Sequence, residues 1–159
     1  MPTQRIETGT PTQLDCDVAI NYNAGCGVRF TSDPLSFGPP FNTAGGGWFV
    51  MERTPQFFKV WFWTRDSTNV PFEVKFGSPD IDTSKWGTPA AYFPNTSTCD
   101  FATHFNPHNI IINLTLCGDW AGNTYAGTSC PLTCVEQVNT APGSFIDAYF
   151  DFKSMRIYE

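Results

Sequence analysis

Acid–base and nucleophilic chemistry start from titratable side chains held at fixed spacing, and the chain offers fifteen acidic residues for that role. Asp80-Ile81-Asp82 would put two carboxylates on one face of an extended segment, because alternate residues of a strand point the same way. Pro79 before it and Thr83-Ser84 after it mark a loop, so the pair reads as solvated or structural. Asp147 and Asp151, four apart, would share a face of an extended last segment. Glu7, Glu52, Glu73, Glu136 and Glu159 are isolated from one another. His104 and His108 flank Asn106-Pro107 in a turn-prone stretch and read as surface residues. No catalytic residue, metal ligand set or cofactor is therefore assigned to these residues.

The six cysteines, Cys16, Cys26, Cys99, Cys117, Cys130 and Cys134, make an even number without a paired zinc-type spacing. Disulfides formed in an oxidising compartment are the simpler reading. Six cysteines allow fifteen connectivities; the local pairs Cys16–Cys26 and Cys130–Cys134 are expected first, leaving Cys99–Cys117. Two glycan-acceptor sequences occur, Asn95-Thr96-Ser97 and Asn113-Leu114-Thr115. Asn95 is the expected acceptor because it sits in a Thr/Ser-rich loop, whereas Asn113 falls inside a predicted strand.

These residues must be carried by a scaffold, and composition limits which. A chain of 159 residues with 41% hydrophobic, 16% aromatic and 15% charged residues buries a core rather than remaining disordered. Thirteen Gly and thirteen Pro without a period punctuate many short elements, which predicts an all-β domain. A net charge of −6 disfavours nucleic acid and anionic membrane, which need basic patches, and suits a neutral ligand. No apolar run approaches the ~18 residues of a membrane span, and the first residues lack the apolar stretch of an export signal. Disulfides without an export signal imply that the true amino terminus lies upstream of Met1.

Along the chain, Asn42–Gly47 is a flexible approach to the run Trp48–Met51. That run and Phe57–Trp63 alternate around Arg53-Thr54-Pro55-Gln56 and predict an antiparallel hairpin. Phe58, Val60 and Phe62 share one face; Lys59, Trp61, Trp63 and Arg65 share the other. Residues 66–96 read as loop, broken by Pro71, Pro79, Pro89 and Pro94. Asn109–Leu116 predicts a strand with Ile110, Ile112, Leu114 and Leu116 toward a core and Ile111, Asn113 and Thr115 away from it. Cys117–Ser129 reads as loop, Pro131–Asn139 as one or two helical turns, and Phe145–Tyr158 as a closing strand. With neither repeat nor linker, residues 1–159 are taken as a single domain.

Four segments together resemble the fungal laminarinase-like branch of glycoside hydrolase family 16. They are Cys16-Asp17-Val18 with Gly25–Val28; Gly45–Thr54; Trp86–Pro89 with Tyr92–Asn95; and Ile110–Gly122. They fall in that family's order and at about its spacing, and the resemblance covers nearly the whole chain. It implies a β-jelly-roll sandwich whose concave sheet forms a cleft for β-glucan, here without its amino-terminal strands. Members carry a Glu-x-Asp-x-x-Glu strand holding nucleophile and general acid/base, and it lies upstream of everything matched in this chain. The Met1-Pro2 pair is similar to an internal Met-Pro of the family, so Met1 is expected to be an internal methionine.

The resemblance leaves a binding surface. Trp120 matches the family tryptophan that stacks on a glucosyl ring, a flat indole against an apolar sugar face. Asp119, Gly118 and Gly122 around it fit an exposed rim. Asn113 offers an amide to sugar hydroxyls, or is a satisfied sheet asparagine; Trp48, after three glycines, lines the cleft or packs in the core. Trp61 and Trp63 are expected in the core. The expected function is part of a secreted, extracellular β-1,3(1,4)-glucan hydrolase. The competing readings are a catalytically silent β-glucan lectin and an extracellular protein that uses its aromatic faces for protein contacts. Exposed sheet edges would allow self-association.

Overall fold

The computed structural model describes residues 5–20, 24–31 and 33–159; the Met1-Pro2 match lies outside them. The chain forms two compact units, residues 1–107 and 108–159. In the first, β1 (Thr10–Pro11) pairs antiparallel with β2 (Val28–Arg29), and Cys16 bonds to Cys26 within the loop between them. The helix α1 (Gly38–Thr43) leads into β3 (Gly47–Arg53), β4 (Phe57–Thr64) follows, and α2 (Phe72–Phe76), β5 (Ala91–Pro94) and α3 (Phe101–His104) complete the unit.

The predicted hairpin is present. β3 and β4 pair antiparallel with Trp48 opposite Trp63, Val50 opposite Trp61 and Glu52 opposite Lys59. Thr54 closes the turn: its hydroxyl accepts from the Gln56 and Phe57 amides at 3.1 Å, and its own amide donates to the Phe57 carbonyl at 2.9 Å. The approach needs glycine. Gly45 and Gly46 have φ of 76° and 87°, which favours residues without a Cβ. A Cβ on Gly47 would stand 2.5 Å from the Trp63 carbonyl oxygen and 2.7 Å from the Phe62 ring.

Both faces of β4 are covered, as its alternating aromatic pattern requires. On one, Trp61 is 3% exposed and clusters with Val74 and Trp86, with Trp48, Val50 and Trp63 packed against them. On the other, Phe58 stacks on Phe101 at 4.6 Å and Phe62 meets Phe49 at 4.6 Å and Phe30 at 5.5 Å. The sheet order is β3-β4-β5. β5 falls within the segment read as loop: its four residues end on Pro94, a ladder position that needs no N–H on a short edge strand. Its outer side is tied to the start of the described chain. Gly9 N donates to Ala90 O, Thr8 N to Pro89 O, and Tyr92 N to the Glu7 carboxylate at 2.7 Å. Among the described residues nothing pairs with the outer edge of β3.

The second unit contains α4 (Gly118–Tyr125), α5 (Cys134–Thr140) and a 3₁₀ turn at Pro142–Phe145. Three expectations are corrected here. Residues 109–116 are not a strand, and the apolar side chains Ile110 and Ile112 are 62% and 44% exposed. Residues 145–158 do not form a strand either; Asp147 and Asp151 are both exposed and share no strand face. Alternation prepares a segment for a sheet, but without a neighbour among the described residues to take its N–H and C=O groups no ladder forms. Finally, the segment Cys117–Ser129 is not all loop, since α4 occupies most of it.

Candidate functional site

Exposed aromatic side chains occur in both units, and the tryptophan among them, Trp120, lies in the second. Trp120 lies in the first turn of α4, 76% exposed, with no aromatic ring packed on it among the described residues. Asp119 precedes it, exposed, and its carbonyl accepts from the Asn123 side chain at 2.5 Å; the Trp120 carbonyl accepts from the Thr124 hydroxyl at 3.1 Å. These bonds run along the helix and leave the indole and the Asp119 carboxylate facing water. Cys117, just before α4, has φ 60°, and Gly118 has φ 79°, so the chain turns sharply into the helix. At the far end the Tyr125 hydroxyl donates to the Pro131 carbonyl at 2.8 Å, and partial desolvation raises its pKa and keeps it a donor. The start of α5 is fixed by a capping box: Thr133 and Glu136 bond reciprocally, and the Thr133 hydrogen bonds lower the Glu136 pKa.

Cys117 bonds to Cys134, Cα atoms 5.8 Å apart, tying the start of α4 to the start of α5. This replaces the expected pairs Cys130–Cys134 and Cys99–Cys117; Cys99 and Cys130 keep free thiols. The ten-residue pair Cys16–Cys26 forms as expected, while the four-apart pair does not: Cys134, the first residue of α5, is bonded to Cys117. Asn113 is exposed in the irregular segment before Cys117. The strand that was to shield it from a glycan is absent, so that ground for ranking Asn95 above it falls. Asn95 donates to the Pro55 carbonyl at 3.0 Å and accepts from the Phe101 amide at 3.3 Å.

Trp48 belongs to the first unit, and Trp120, Asp119 and Asn113 belong to the second. The Trp48 ring packs against the Trp61–Val74–Trp86 cluster, and the Arg65 guanidinium stands 4.4 Å from its centroid while donating to the Gly45 carbonyl at 3.2 Å. Part of that indole is thereby occupied. Trp86 donates from Nε1 to Glu73 at 2.6 Å, and this bond above all holds the Glu73 pKa below its ordinary value. A depressed carboxylate stabilises the fold above the ordinary value of 4.5 and loses that contribution as pH falls through its folded pKa. Glu73→Gln should therefore lower the melting temperature at pH 7 by about 2–4 °C, the effect of ~1 kcal/mol in a chain of this size. It should also flatten the fall in melting temperature below pH 4.5. An unchanged thermal pH profile in the variant would refute the assignment.

Three further carboxylates act as local caps. Asp82 accepts from Ser84 and pairs with Lys85 at 2.9 Å, which lowers its pKa; Asp100 caps α3 through Thr103; Asp33 accepts from the Leu35 amide. Asp80-Ile81-Asp82 is thus a turn, as its flanking residues indicated. His104 ends α3. Among the described residues no cluster of three His, Cys, Asp or Glu is placed to hold a metal, and no helix is long and apolar enough to cross a membrane. Sequence reasoning missed Tyr125 and Glu136 as supports; the Thr133-Cys134-Val135-Glu136 capping signature was the available signal for the second.

A family model described as the XgeA-like, catalytic GH16 domain matches residues 1–158. A probable glycosidase of Schizosaccharomyces pombe is 40% identical over 98% of this chain and 36% of its own length. A probable endo-1,3(4)-beta-glucanase of Neosartorya fischeri is 39% identical over 96% of this chain and 23% of its own. Among solved structures, GH16 laminarinase 16A of Phanerochaete chrysosporium is 49% identical with a TM-score of 0.84; the match covers 93% of this chain and 50% of that one. That structure holds 6-O-glucosyl-laminaritriose in donor and acceptor sites. An elongating family 16 β-1,3-glucosyltransferase is 38% identical with a TM-score of 0.74, over 90% of this chain and 48% of its own. The chain takes the fold of about half of these jelly-roll laminarinases: it spans about half the length of the solved chains and about a third or less of the curated relatives named.

Proposed function

Since the chain belongs to the XgeA-like catalytic domains of glycoside hydrolase family 16, we propose that it is the carboxy-terminal, substrate-binding portion of a β-1,3(1,4)-glucan hydrolase. The observation that carries this reading is Trp120, a bare indole 76% exposed at the start of α4, in a chain 49% identical to a laminarinase. The sugar ring stacks its apolar C–H face on the indole, while Asp119 and Asn113, both exposed, take its hydroxyls. Trp48, in the first unit, is a separate candidate whose ring is partly covered by Arg65. Nucleophile and general acid/base lie outside these residues, on the Glu-x-Asp-x-x-Glu strand that the family resemblance puts upstream. Residues 1–159 act as one portion of a single catalytic domain.

A secreted, extracellular setting is part of the proposal, supported by the Cys16–Cys26 and Cys117–Cys134 disulfides. Asn95, in an exposed loop, is then a candidate glycan acceptor. The partner is a neutral polysaccharide rather than nucleic acid or membrane, in keeping with the net charge of −6. The β3 edge, unpaired among the described residues, permits self-association. A catalytically silent β-glucan lectin is the second reading, favoured by fifteen acidic residues of which none forms the Glu-x-Asp-x-x-Glu pattern.

Replacing Trp120 with Ala tests the binding surface. Affinity for laminarin should fall about fivefold, the loss of a stacking contact near 1 kcal/mol. The melting temperature should barely move, because the ring is already in water. Unchanged affinity with a collapsed melting temperature would make Trp120 a packing residue and remove the observation on which the reading stands.

A further inference from the structure

We propose that Cys117 and Cys134, with Tyr125, are positioning residues that hold Trp120 in its ligand-facing orientation; this rests on the glucan-binding reading above. The argument begins with what Trp120 lacks. Its ring is 76% exposed and no neighbouring ring packs on it among the described residues, so the α4 backbone, which fixes the Cα–Cβ direction, decides toward which side the indole projects. That helix has eight residues, shorter than the ~12–15 needed for even a marginal isolated helix in water. Its leading residue Cys117 makes no side-chain capping bond to it.

The stability of the first turn must come from outside the helix, and the structure supplies it at both ends. Cys117 sits at φ 60°, ψ −139°, a conformation that residues with a Cβ adopt only when their surroundings over-determine it. The surroundings are the bond from its Sγ to Cys134. Cys134 is itself immobilised, as the first residue of α5 behind the Thr133–Glu136 capping box. At the other end of α4, Tyr125 donates to the carbonyl of Pro131, three residues before Cys134. The two links and α4 close a ring of contacts around the segment that presents Trp120. Without the disulfide, residue 117 is free to leave its positive φ, and the first turn of α4 turns with it. Binding then draws on only the fraction of chains that still present the indole.

The experiment uses the full chain labelled with 5-fluorotryptophan, read by ¹⁹F NMR and by calorimetric titration with laminarihexaose. Trp120 is the one tryptophan in residues 108–159; Trp48, Trp61, Trp63 and Trp86 report on the first unit, and Trp120→Phe assigns the fifth resonance. In Cys117→Ser/Cys134→Ser the Trp120 resonance should shift while the other four stay in place. Affinity should fall about tenfold if the presenting state drops to a tenth of the population. Cys117→Gly/Cys134→Ser should recover part of that loss, because glycine takes φ 60° freely. Tyr125→Phe should weaken binding more mildly, by about threefold on the same population argument. A Trp120 resonance and an affinity unchanged in the Ser/Ser variant would overturn the proposal, as would a glycine variant no better than the serine one. Should the Ser/Ser chain lose all five resonances to unfolding, an unmoved Trp120 resonance in both the glycine variant and Tyr125→Phe overturns it equally. If the unmodified chain does not bind laminarihexaose, the glucan reading fails, and the resonance shifts alone still decide whether the disulfide orients Trp120.

Discussion

Laminarin incubated with the purified 159-residue chain should release no reducing ends above the blank. Retaining cleavage needs one carboxylate at the anomeric carbon and another to protonate the leaving oxygen, about 5–5.5 Å apart. Of the Asp80/Asp82 pair that the sequence offers as the nearest substitute, Asp82 is engaged elsewhere: it accepts from the Ser84 amide at 3.2 Å and from Lys85 at 2.9 Å, where it caps a 3₁₀ turn. Glu7 accepts from the Tyr92 amide and Glu73 from the Trp86 indole. Losing a nucleophile lowers hydrolase turnover by about 10⁶-fold, so binding can persist while turnover falls below detection. Reducing-end assays on laminarin and lichenan decide this. Turnover in a clean preparation that disappears in Asp80→Asn/Asp82→Asn would refute the expectation. A longer chain that restores the upstream residues should be active.

Trp61→Ala should strongly destabilise the first unit. The ring is 3% exposed at the centre of β4, meets Trp86 edge-to-face at 5.2 Å and donates to the Gly87 carbonyl at 3.3 Å. Truncating a buried Trp costs about 3–5 kcal/mol through lost transfer energy and the cavity left behind, against a total domain stability of about 5–15 kcal/mol. At about 2–4 °C per kcal/mol the midpoint should fall by roughly 6–20 °C in thermal denaturation followed by near-UV circular dichroism. A shift under ~2 °C would show that the Trp cluster contributes little to the core. The contrast with Trp120→Ala separates a tryptophan that builds the fold from one that meets solvent.

The same contrast shows what was legible in the sequence. The hairpin of β3 and β4 could be read because its information is local: seven and eight residues of alternating aromatic and branched side chains around a Thr-Pro turn. The division of Phe58, Val60 and Phe62 from Trp61 and Trp63 came from the same period, and the ring contacts follow it. Residues 109–116 and 145–158 carry a similar pattern, yet a strand is a property of two segments, and pairing depends on a partner that a single segment does not encode. β5 was hidden by Pro94, which is harmless at the end of an edge strand, and α4 by its glycines and Asp119, which more often mark loops. Disulfide partners were underdetermined for the reason that fifteen pairings fit six cysteines. Trp120 stood out only through the family resemblance, its small and polar neighbours favouring a rim over the core; the helix that presents it did not.

The placement of Trp61 against Trp86 has an optical consequence. Two indoles held edge-to-face at 5.2 Å, 81° between planes, with Trp63 also against Trp86 at 5.8 Å, couple their electronic transitions instead of absorbing independently. The chain therefore carries its own chromophore pair in the first unit, whose signed couplet in the far ultraviolet reports whether β4 and the Trp86 loop are in register. Trp120, bathed in water on α4, emits at longer wavelength than the buried rings and is the indole most open to a dissolved quencher. Absorbed light thus distinguishes the folded sheet from the presenting surface in one unlabelled sample.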